Sequence, residues 1–289
     1  MRGWLPFPAA CVFIASPLLA WGPAGHYIVA NIAEARLSEP ARNQIRQILM
    51  NGTYSLAGIS TCADLIRDTR PHEPTPEELT CRELAGPLAV NTAPWHYIDI
   101  PVPKFDKSIS MYCPDGNCIV GALERYRDIL RHSHDDAERR AALLFIVHFM
   151  GDIHQPLHCA ERACDRGGNS ERVNGSKTLH QVWDSDLVEK AMADVPVTEL
   201  SSRIDAVKAR RWADASIPDI AWESHALAAK RVYHGIPFED FCRDPKVVFP
   251  PTLLTAKYEK AGERTVREQL LKAGVRLAAL LSSAFDPAN

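Results

Sequence analysis

Long uninterrupted hydrophobic stretches are absent after the first 20 residues, which argues against a membrane-spanning helix there. A basic excess is also missing: 33 lysines and arginines face 36 aspartates and glutamates, for a formal net charge of −3. This balance disfavours a basic protein that coats nucleic acid, but not an enzyme that binds nucleic acid through metal cations. Internal repeats and low-complexity linkers are absent too, so a single domain is the simplest organisation of the 289 residues.

Acidic residues are missing from the first 33 positions. Arg2 precedes a mostly apolar run, Trp4 to Ala20, which prolines interrupt and which is too short for a comfortable membrane span. The pattern predicts a signal peptide at residues 1–20, a mature domain at residues 21–289 that begins with Trp21, and a secreted or periplasmic location. The alternative is an apolar N-terminal segment of the core.

Paired C-x-x-C spacings are lacking among the eight cysteines, so zinc–thiolate ligation is the lesser alternative to disulfides. Such cysteine usage is typical of an oxidising compartment. Seven cysteines remain after cleavage, and this odd number leaves at least one unpaired. Cys113 and Cys118 are the favoured disulfide, because a Pro-Asp-Gly turn between them can bring their ends together. Cys159 and Cys164 share that spacing but have a weaker turn.

Strand signals are few, and the dominant periodicity is helical. Ser38 followed by Glu-Pro-Ala supplies an N-cap and a first-turn proline for one helix. Further helices are predicted from residue 60 onward and at 119–132, 137–153, 178–192, 199–212, 217–233 and 262–285. We therefore predict an all-α fold, a single mostly helical domain.

Three irregular or extended segments complete the predicted fold. A short strand is expected at residues 95–100, before Pro101. A small hairpin is expected at residues 171–178, around Asn174-Gly175. The proline-rich stretch at residues 69–94 is predicted to be a loop.

Two histidine–aspartate pairs have the i, i+4 spacing that places both side chains on one helix face. His148 and Asp152 lie in an apolar helix, where an unpaired carboxylate is costly. A proline then lets His158 turn back toward the pair. A second apolar helix carries His180 and Asp184. A buried hydrogen bond explains one such pair, but two pairs favour a metal site with the imidazole and carboxylate ligands that zinc takes.

Three further polar residues are candidate ligands. Asp64 lies in an amphipathic helix, His96 lies beside aromatic and apolar residues, and His26 closely follows the predicted cleavage point. Taken alone, each is more simply explained as a structural polar residue.

Together, the motifs resemble the secreted zinc-dependent single-strand nucleases, the family of the mung bean and mould (S1/P1-type) enzymes. The resemblance covers essentially the whole mature chain, with the motifs in family order. They are Trp21-Gly-x-x-Gly-His26, Ala-Asp64-x-Ile-Arg67, Trp95-His96-Tyr-Ile-Asp99, His148-Phe-x-Gly-Asp152-Ile-His-Gln-Pro-Leu-His158, Gly167-Gly-Asn169 and Leu179-His180-x-x-Trp-Asp184.

The resemblance implies a mostly helical domain that binds three zinc ions. The ligands implied for one zinc are Asp64, His96, His148 and Asp152. Those implied for a second are His158, His180 and Asp184. Those implied for the third are the amine and carbonyl of Trp21, the side chain of His26 and the other oxygen of Asp152. His154 has no ligand counterpart, and we expect it to pack beside the site.

The implied activity is hydrolysis of phosphodiester bonds in single-stranded RNA and DNA. A zinc-activated water would leave 5′-phosphate products, and 3′-nucleotidase activity would accompany it. Asp64, Asp152 and Arg67 are the expected catalytic residues. Arg67 matches the family arginine that contacts the phosphate, although an i, i+3 salt bridge with Asp64 is an alternative role. Nucleotides are further expected substrates, and the resemblance implies a monomer with no stable protein partner.

Three residues match or adjoin the family's base site. Tyr97 is expected to stack on a base and Asp99 to accept hydrogen bonds from its edge. Asn169 is expected to contact the base or line the rim. The alternative is that Tyr97 packs in the core and that Asp99 ends a strand.

Two other functions stay open at this point. Zinc-dependent bacterial phospholipases C share the fold and an N-terminal tryptophan ligand, which makes a lipid phosphodiester the alternative substrate. A non-catalytic zinc-binding secreted protein is the other, but Arg67 argues against it. Asn51 and Asn174 begin glycosylation sequons, which matter only in a eukaryotic source.

Overall fold

A computed structural model describes residues 21–67, 72–88, 91–103, 108–194, 196–202, 204–244 and 246–285. The predicted signal peptide at residues 1–20 lies outside these ranges. The prediction of a mostly helical single domain with a short hairpin is confirmed. No described helix combines the length and the apolar character that a membrane span needs.

The helices are α1 Pro23–Arg36, α2 Glu39–Ile48, α3 Leu56–Ile59, α4 Cys62–Arg67, α5 Pro76–Ala85, α6 Ile119–His132, α7 Asp136–Asp152, α8 Leu179–Gln181, α9 Leu187–Met192, α10 Val197–Ser202, α11 Ala206–Ala213, α12 Ile217–Leu227 and α13 Ala256–Phe285. The strands are β1 Arg172–Val173 and β2 Lys177–Thr178. Short 3-10 helices lie at Gly86–Leu88, Ala93–His96, Ile109–Met111, Pro114–Gly116 and Pro156–Cys159, and π-helical turns at Val182–Asp186 and Ala228–Val232.

Helix α7 forms the centre of the molecule. Residues 141–152 are all buried, because this stretch is apolar on every face apart from His148 and Asp152. Helices α1 and α13 pack closely against each other, and both also contact α7. Gly274 of α13 permits the close approach, because a Cβ there would overlap Ile32 of α1. The two metal-ligand candidates of α7 therefore lie inside the core, where a rigid framework fixes them.

Several local predictions are confirmed. The Ser38 hydroxyl caps α2 by accepting the Ala41 N–H, and α6 occupies the predicted range 119–132. The hairpin pairs Arg172 with Thr178 and Val173 with Lys177. Its turn residues Asn174 and Gly175 adopt φ angles of +47° and +91°, the left-handed conformation that Asn-Gly turns supply.

Other local predictions are wrong. The stretch predicted as a loop at residues 69–94 contains α5, because Thr75 caps that helix and Pro76 occupies its first turn, where a missing N–H costs nothing. The strand expected at residues 95–100 begins as a 3-10 helix, Ala93–His96, and continues as extended backbone. Three predicted helices are interrupted, by the π turns Val182–Asp186 and Ala228–Val232 and by the break between α10 and α11. Helix α1 was not predicted, and α13 begins earlier than residue 262.

Three disulfides join the described cysteines. The predicted Cys113–Cys118 bond is present, and the others are Cys62–Cys81 and Cys164–Cys242. The weaker candidate, Cys159 with Cys164, is therefore wrong, and Cys159 is the buried free thiol that the odd number required. Because six cysteines are oxidised, the zinc–thiolate alternative fails.

Candidate metal centre and substrate cleft

Eight side chains from seven helices and helical turns converge at one end of α7. They form three groups in which the potential ligand atoms lie within 4.8 Å of one another. The first group is Asp64, His96 and His148, the second is His158, His180 and Asp184, and the third is His26, His148 and Asp152. Every one of these side chains is buried.

The first group surrounds the α7 pair. Asp64 Oδ1 lies 3.6 Å from both His96 Nδ1 and His148 Nε2. Asp152 Oδ2 lies 3.0 Å from His96 Nδ1 and 3.2 Å from His148 Nε2. All four side chains proposed for one zinc therefore point at a common space.

The second group joins the 3-10 helix after α7 to α8 and its π turn. The Nε2 atoms of His158 and His180 are 3.2 Å apart, and Asp184 Oδ2 lies 3.1 Å from His180 Nε2. Gln155 donates a 2.6 Å hydrogen bond to the other Asp184 oxygen, which fixes the carboxylate. The sequence analysis missed this role of Gln155, although the residue lies inside the longest of the family motifs.

The third group lies at the start of α1. His26 Nε2 is 3.2 Å from Asp152 Oδ1, whereas Asp152 Oδ2 faces His96. One oxygen of Asp152 therefore faces the third group and the other faces the first. The His26 ring stacks on His148, with centroids 3.9 Å apart. Trp21 is fully buried beside it, and the Gly22 N–H donates to the Asp184 carbonyl at 2.8 Å. The start of the described chain is thus held against the second group.

Backbone carbonyls orient three of the imidazoles. The Nδ1–H groups of His148, His158 and His180 donate to Ser60, His96 and Gly167 carbonyls at 2.8, 2.6 and 2.7 Å. When these rings are neutral, as metal ligation requires, each Nε2 therefore presents a lone pair to the centre. Two such lone pairs face each other across 3.2 Å between His158 and His180. A bound cation resolves that repulsion, which is why metal-ligating histidines are commonly held in this way.

Unpaired buried atoms also cluster at the centre. Within the part of the chain that the structure describes, hydrogen-bond partners are lacking for both ring nitrogens of His26, His96 Nε2, Asp64 Oδ1 and Asp152 Oδ1. Burying polar atoms without partners is costly. The residues therefore fit bound metal ions, which supply the missing contacts.

The charges in the centre depend strongly on one another. Burial alone would lower the pKa of His148, but the carboxylates of Asp152 and Asp64 raise that pKa to about 10. Burial lowers the pKa of His96 to about 4, despite the Asp152 carboxylate beside it. Burial would raise the pKa values of Asp64 and Asp152, yet His148 holds both below their usual range. Without a metal, the two buried carboxylates share the His148 imidazolium, and Arg67 is a second cation beside Asp64.

A cleft of about 170 Å³ opens over the centre. Its lining includes His96, His158 and His180. Its walls also hold all four residues predicted to contact substrate, namely Arg67, Tyr97, Asp99 and Asn169. Tyr97 is 41% exposed, so the alternative that it packs in the core is wrong. Glu161 and Arg166 line the same cleft, and no sequence motif pointed to either residue.

Arg67 forms the expected salt bridge and also lies where it could reach a substrate in the cleft. Its Nη1 lies 3.3 Å from Asp64 Oδ1, which forms the i, i+3 salt bridge, and the same side chain lines the cleft. His154 faces away from the ligand groups. Its Nε2 accepts a 2.9 Å hydrogen bond from Arg276, and its Nδ1–H donates to the Met150 carbonyl.

A helical, disulfide-bonded domain with a buried histidine–aspartate centre beneath an arginine-lined cleft is suited to the hydrolysis of phosphate esters. Comparison with known proteins identifies the family: the S1/P1 nuclease family model matches residues 21–286, and the chain belongs to that family. It is accordingly a nuclease, a hydrolase that acts on phosphodiester bonds.

Similar proteins occur in plants and moulds. Endonuclease 2 of Arabidopsis thaliana is 30% identical over 304 residues, which cover 95% of this chain and 93% of the relative. Nuclease S1 of Aspergillus oryzae is 29% identical, with 96% of both chains covered. Nuclease P1 of Penicillium citrinum is 30% identical over 63% of both chains. The similarity to the first two extends over nearly the whole sequence, as the order of the motifs predicted.

Proposed function

We propose that the protein is a secreted zinc-dependent endonuclease that hydrolyses single-stranded RNA and DNA to 5′-phosphate products and also acts as a 3′-nucleotidase. The observation that carries the proposal is the shared position of three histidine–aspartate groups and four substrate-contacting candidates around one cleft. The nuclease names of the relatives support the same substrate class. The proposed form is a monomer whose partners are nucleic acids and nucleotides.

The three groups are proposed to hold three zinc ions. Asp64, His96, His148 and Asp152 would ligate the first, and His158, His180 and Asp184 the second. The backbone amine and carbonyl of Trp21, with His26 and the second oxygen of Asp152, would ligate the third. Zinc at these positions would supply a water of lowered pKa, and positive charge for the phosphoryl and leaving oxygens.

The protein's own side chains position the substrate. Arg67 is proposed to bind a phosphate oxygen, while its salt bridge to Asp64 keeps the guanidinium beside the first group. Tyr97 would stack on the base, and Asp99 and Asn169 would contact the edge of the base or the rim. A base can enter such a cleft only when it is unstacked and unpaired, which explains a preference for single strands.

Residues 1–20 are proposed to be a signal peptide whose removal leaves Trp21 at the N-terminus of a domain spanning residues 21–289. Three disulfides are typical of an oxidising compartment. They therefore support the proposed secreted or periplasmic location. The cleavage step matters for chemistry, because only a free Trp21 amine is a ligand nitrogen.

Metal analysis tests the zinc proposal. We expect about three zinc ions per mature chain, one for each group, and loss of activity after chelation that zinc restores. The reason is that each group offers a nearly complete set of ligand atoms within 4.8 Å. Elemental analysis of active protein that finds one zinc or none would contradict the three-ion centre.

Digestion tests the reaction. Single-stranded RNA and DNA should both be cut, the matching duplexes much more slowly, and the products should carry 5′-phosphates. No 2′-hydroxyl takes part, so RNA and DNA give the same ends. Products with 2′,3′-cyclic phosphates would point to another mechanism. Choline release from phosphatidylcholine, with nucleic acid left intact, would transfer the assignment to a phospholipase C.

A further inference from the structure

One wall of the cleft is built from two chain segments joined by backbone hydrogen bonds. The Glu161 N–H donates to the Ile100 carbonyl at 2.9 Å, and the Val102 N–H donates to the Glu161 carbonyl at 2.8 Å. The Ile98 N–H donates to the His158 carbonyl at 2.8 Å. These bonds fix Glu161 beside the segment that carries Asp99, and they do so from the backbone of Glu161, independently of its side chain.

Along this wall, buried side chains alternate with side chains that face the cleft. Ile98 and Ile100 are buried, whereas Tyr97 and Asp99 alternate with them and line the cleft. Glu161 lines the same cleft, so two carboxylates and one aromatic ring share the wall. Desolvation and the Glu161 charge raise the pKa of Asp99 to about 6, which agrees with the closeness of the two carboxylates.

Two neighbouring carboxylates favour a ligand edge with two neighbouring donors. Guanine has such an edge, because its N1–H and its N2 amino group are adjacent. Adenine and cytosine each place a ring-nitrogen lone pair beside their amino group, and a carboxylate repels that lone pair. Uracil and thymine offer a single N–H between two carbonyls. Hydrogen bonds to charged acceptors are stronger than neutral ones, so the difference between the bases should be large.

We propose, building on the nuclease function proposed above, that Glu161 is a specificity-determining residue which, together with Asp99, makes the cleft prefer guanine. Asp99 accepts from the N1–H and one N2–H, and Glu161 accepts from the remaining N2–H. Tyr97 stacks on the face of the same base. The hydrogen bonds to the edge of guanine then add base selectivity to the stacking interaction, which any base can make.

Dinucleotide kinetics test the proposal. Substrates that differ only in the 5′ base, namely guanine, adenine, cytosine, uracil or hypoxanthine, should be compared by kcat/KM with the zinc-loaded full protein. Guanine should exceed adenine by about 10- to 100-fold, and hypoxanthine, which lacks the N2 amino group, should fall between them. In Glu161→Gln, the guanine-to-adenine ratio of kcat/KM should fall by about five- to tenfold, because a neutral acceptor replaces the charged one at the N2 amino group, while Asp99 still accepts from the N1–H and one N2–H.

The ratio of kcat/KM for the guanine substrate to that for the adenine substrate separates a loss of base recognition from a general loss of activity. A purely structural role of Glu161 would lower kcat/KM for all five substrates alike and leave the ratio unchanged. Glu161→Asp keeps the charge, so it should retain more of the guanine preference than Glu161→Gln does. Glu189→Gln is the matched control, because Glu189 is exposed on α9 outside the cleft and should leave both rate and ratio unchanged.

Two results would overturn the proposal. One is equal kcat/KM for guanine and adenine in the unaltered protein, and the other is an unchanged ratio in Glu161→Gln. If the zinc-loaded protein cuts neither dinucleotides nor longer single strands, the proposed single-strand nuclease function fails by itself. Base preference is then decided by equilibrium binding of guanosine and adenosine 5′-monophosphates, where equal affinities would refute the role of Glu161.

Discussion

Replacing Asp152 with asparagine is expected to lower kcat by about a thousandfold or more and to remove most of the zinc from two of the three groups. Changes to residues that only support ligands cost about 10- to 100-fold. Substitution of Asp152 should lower kcat by more than that, because its two oxygens lie within 3.2 Å of ring nitrogens of His26, His96 and His148. An asparagine keeps the shape but offers one neutral oxygen. Zinc content and kcat, measured on the same preparation, check the prediction.

His154→Ala supplies the control with the opposite pattern. His154 is fully buried and holds Arg276, which also donates to Glu223 and to the Trp212 carbonyl. Its loss leaves a cavity and an unpaired guanidinium proton, which should cost about 2–4 kcal/mol of stability. The folded fraction should keep its zinc and its kcat. Equal losses of kcat in both variants, with folding intact, would contradict the assignment of Asp152 as a shared ligand.

Four of the metal-ligand candidates were predictable from sequence, because their spacing places two pairs of polar side chains on apolar helices. His148 with Asp152, and His180 with Asp184, lie i, i+4 on apolar helices, and few structures other than a metal site tolerate two such pairs. His26, His96 and Asp64 have no such local pattern. Family resemblance was needed to place them, and the structure brings all three within reach of the α7 pair.

The cleft walls were only partly predictable. Tyr97, Asp99, Arg67 and Asn169 lie inside recognisable motifs, but Glu161 does not. Its position follows from backbone hydrogen bonds to Ile100 and Val102, which are contacts between segments about 60 residues apart. No local periodicity encodes such a pairing, because tertiary contacts determine it.

Prolines and cysteines misled the sequence analysis for related reasons. A high proline count between residues 69 and 94 resembled a loop, but Pro76 after the Thr75 cap starts a helix. Cys164 pairs with Cys242, which lies 78 residues later, and its nearer neighbour Cys159 stays reduced. Both outcomes depend on where the chain is held in space, which spacing alone does not specify.

Adding one residue before Trp21 is expected to remove about one zinc ion per chain and to reduce activity at least about tenfold. A free amine has an available lone pair, whereas the nitrogen of an amide is delocalised and a poor ligand. The structure holds Trp21 beside the metal-ligand candidates. Trp21 is fully buried, Gly25 packs against its Cβ, and the Gly22 N–H is bonded to the carbonyl of Asp184.

The test compares a mature protein that begins at Trp21 with one that carries a single extra N-terminal residue, and the matched control carries one extra residue after Asn289. All three proteins should fold, because α1 begins at Pro23 and its packing against α13 does not involve the terminal amine. The melting temperature should fall only in the protein with the extra N-terminal residue, because that protein loses a bound ion. The groups built from Asp64, His96 and His148 and from His158, His180 and Asp184 use no N-terminal atom, so about two zinc ions should remain in the extended protein. Equal zinc content and equal rates in the first two proteins would refute Trp21 as a ligand. That result would also remove the chemical reason for cleavage before Trp21, because leader removal would then serve export alone.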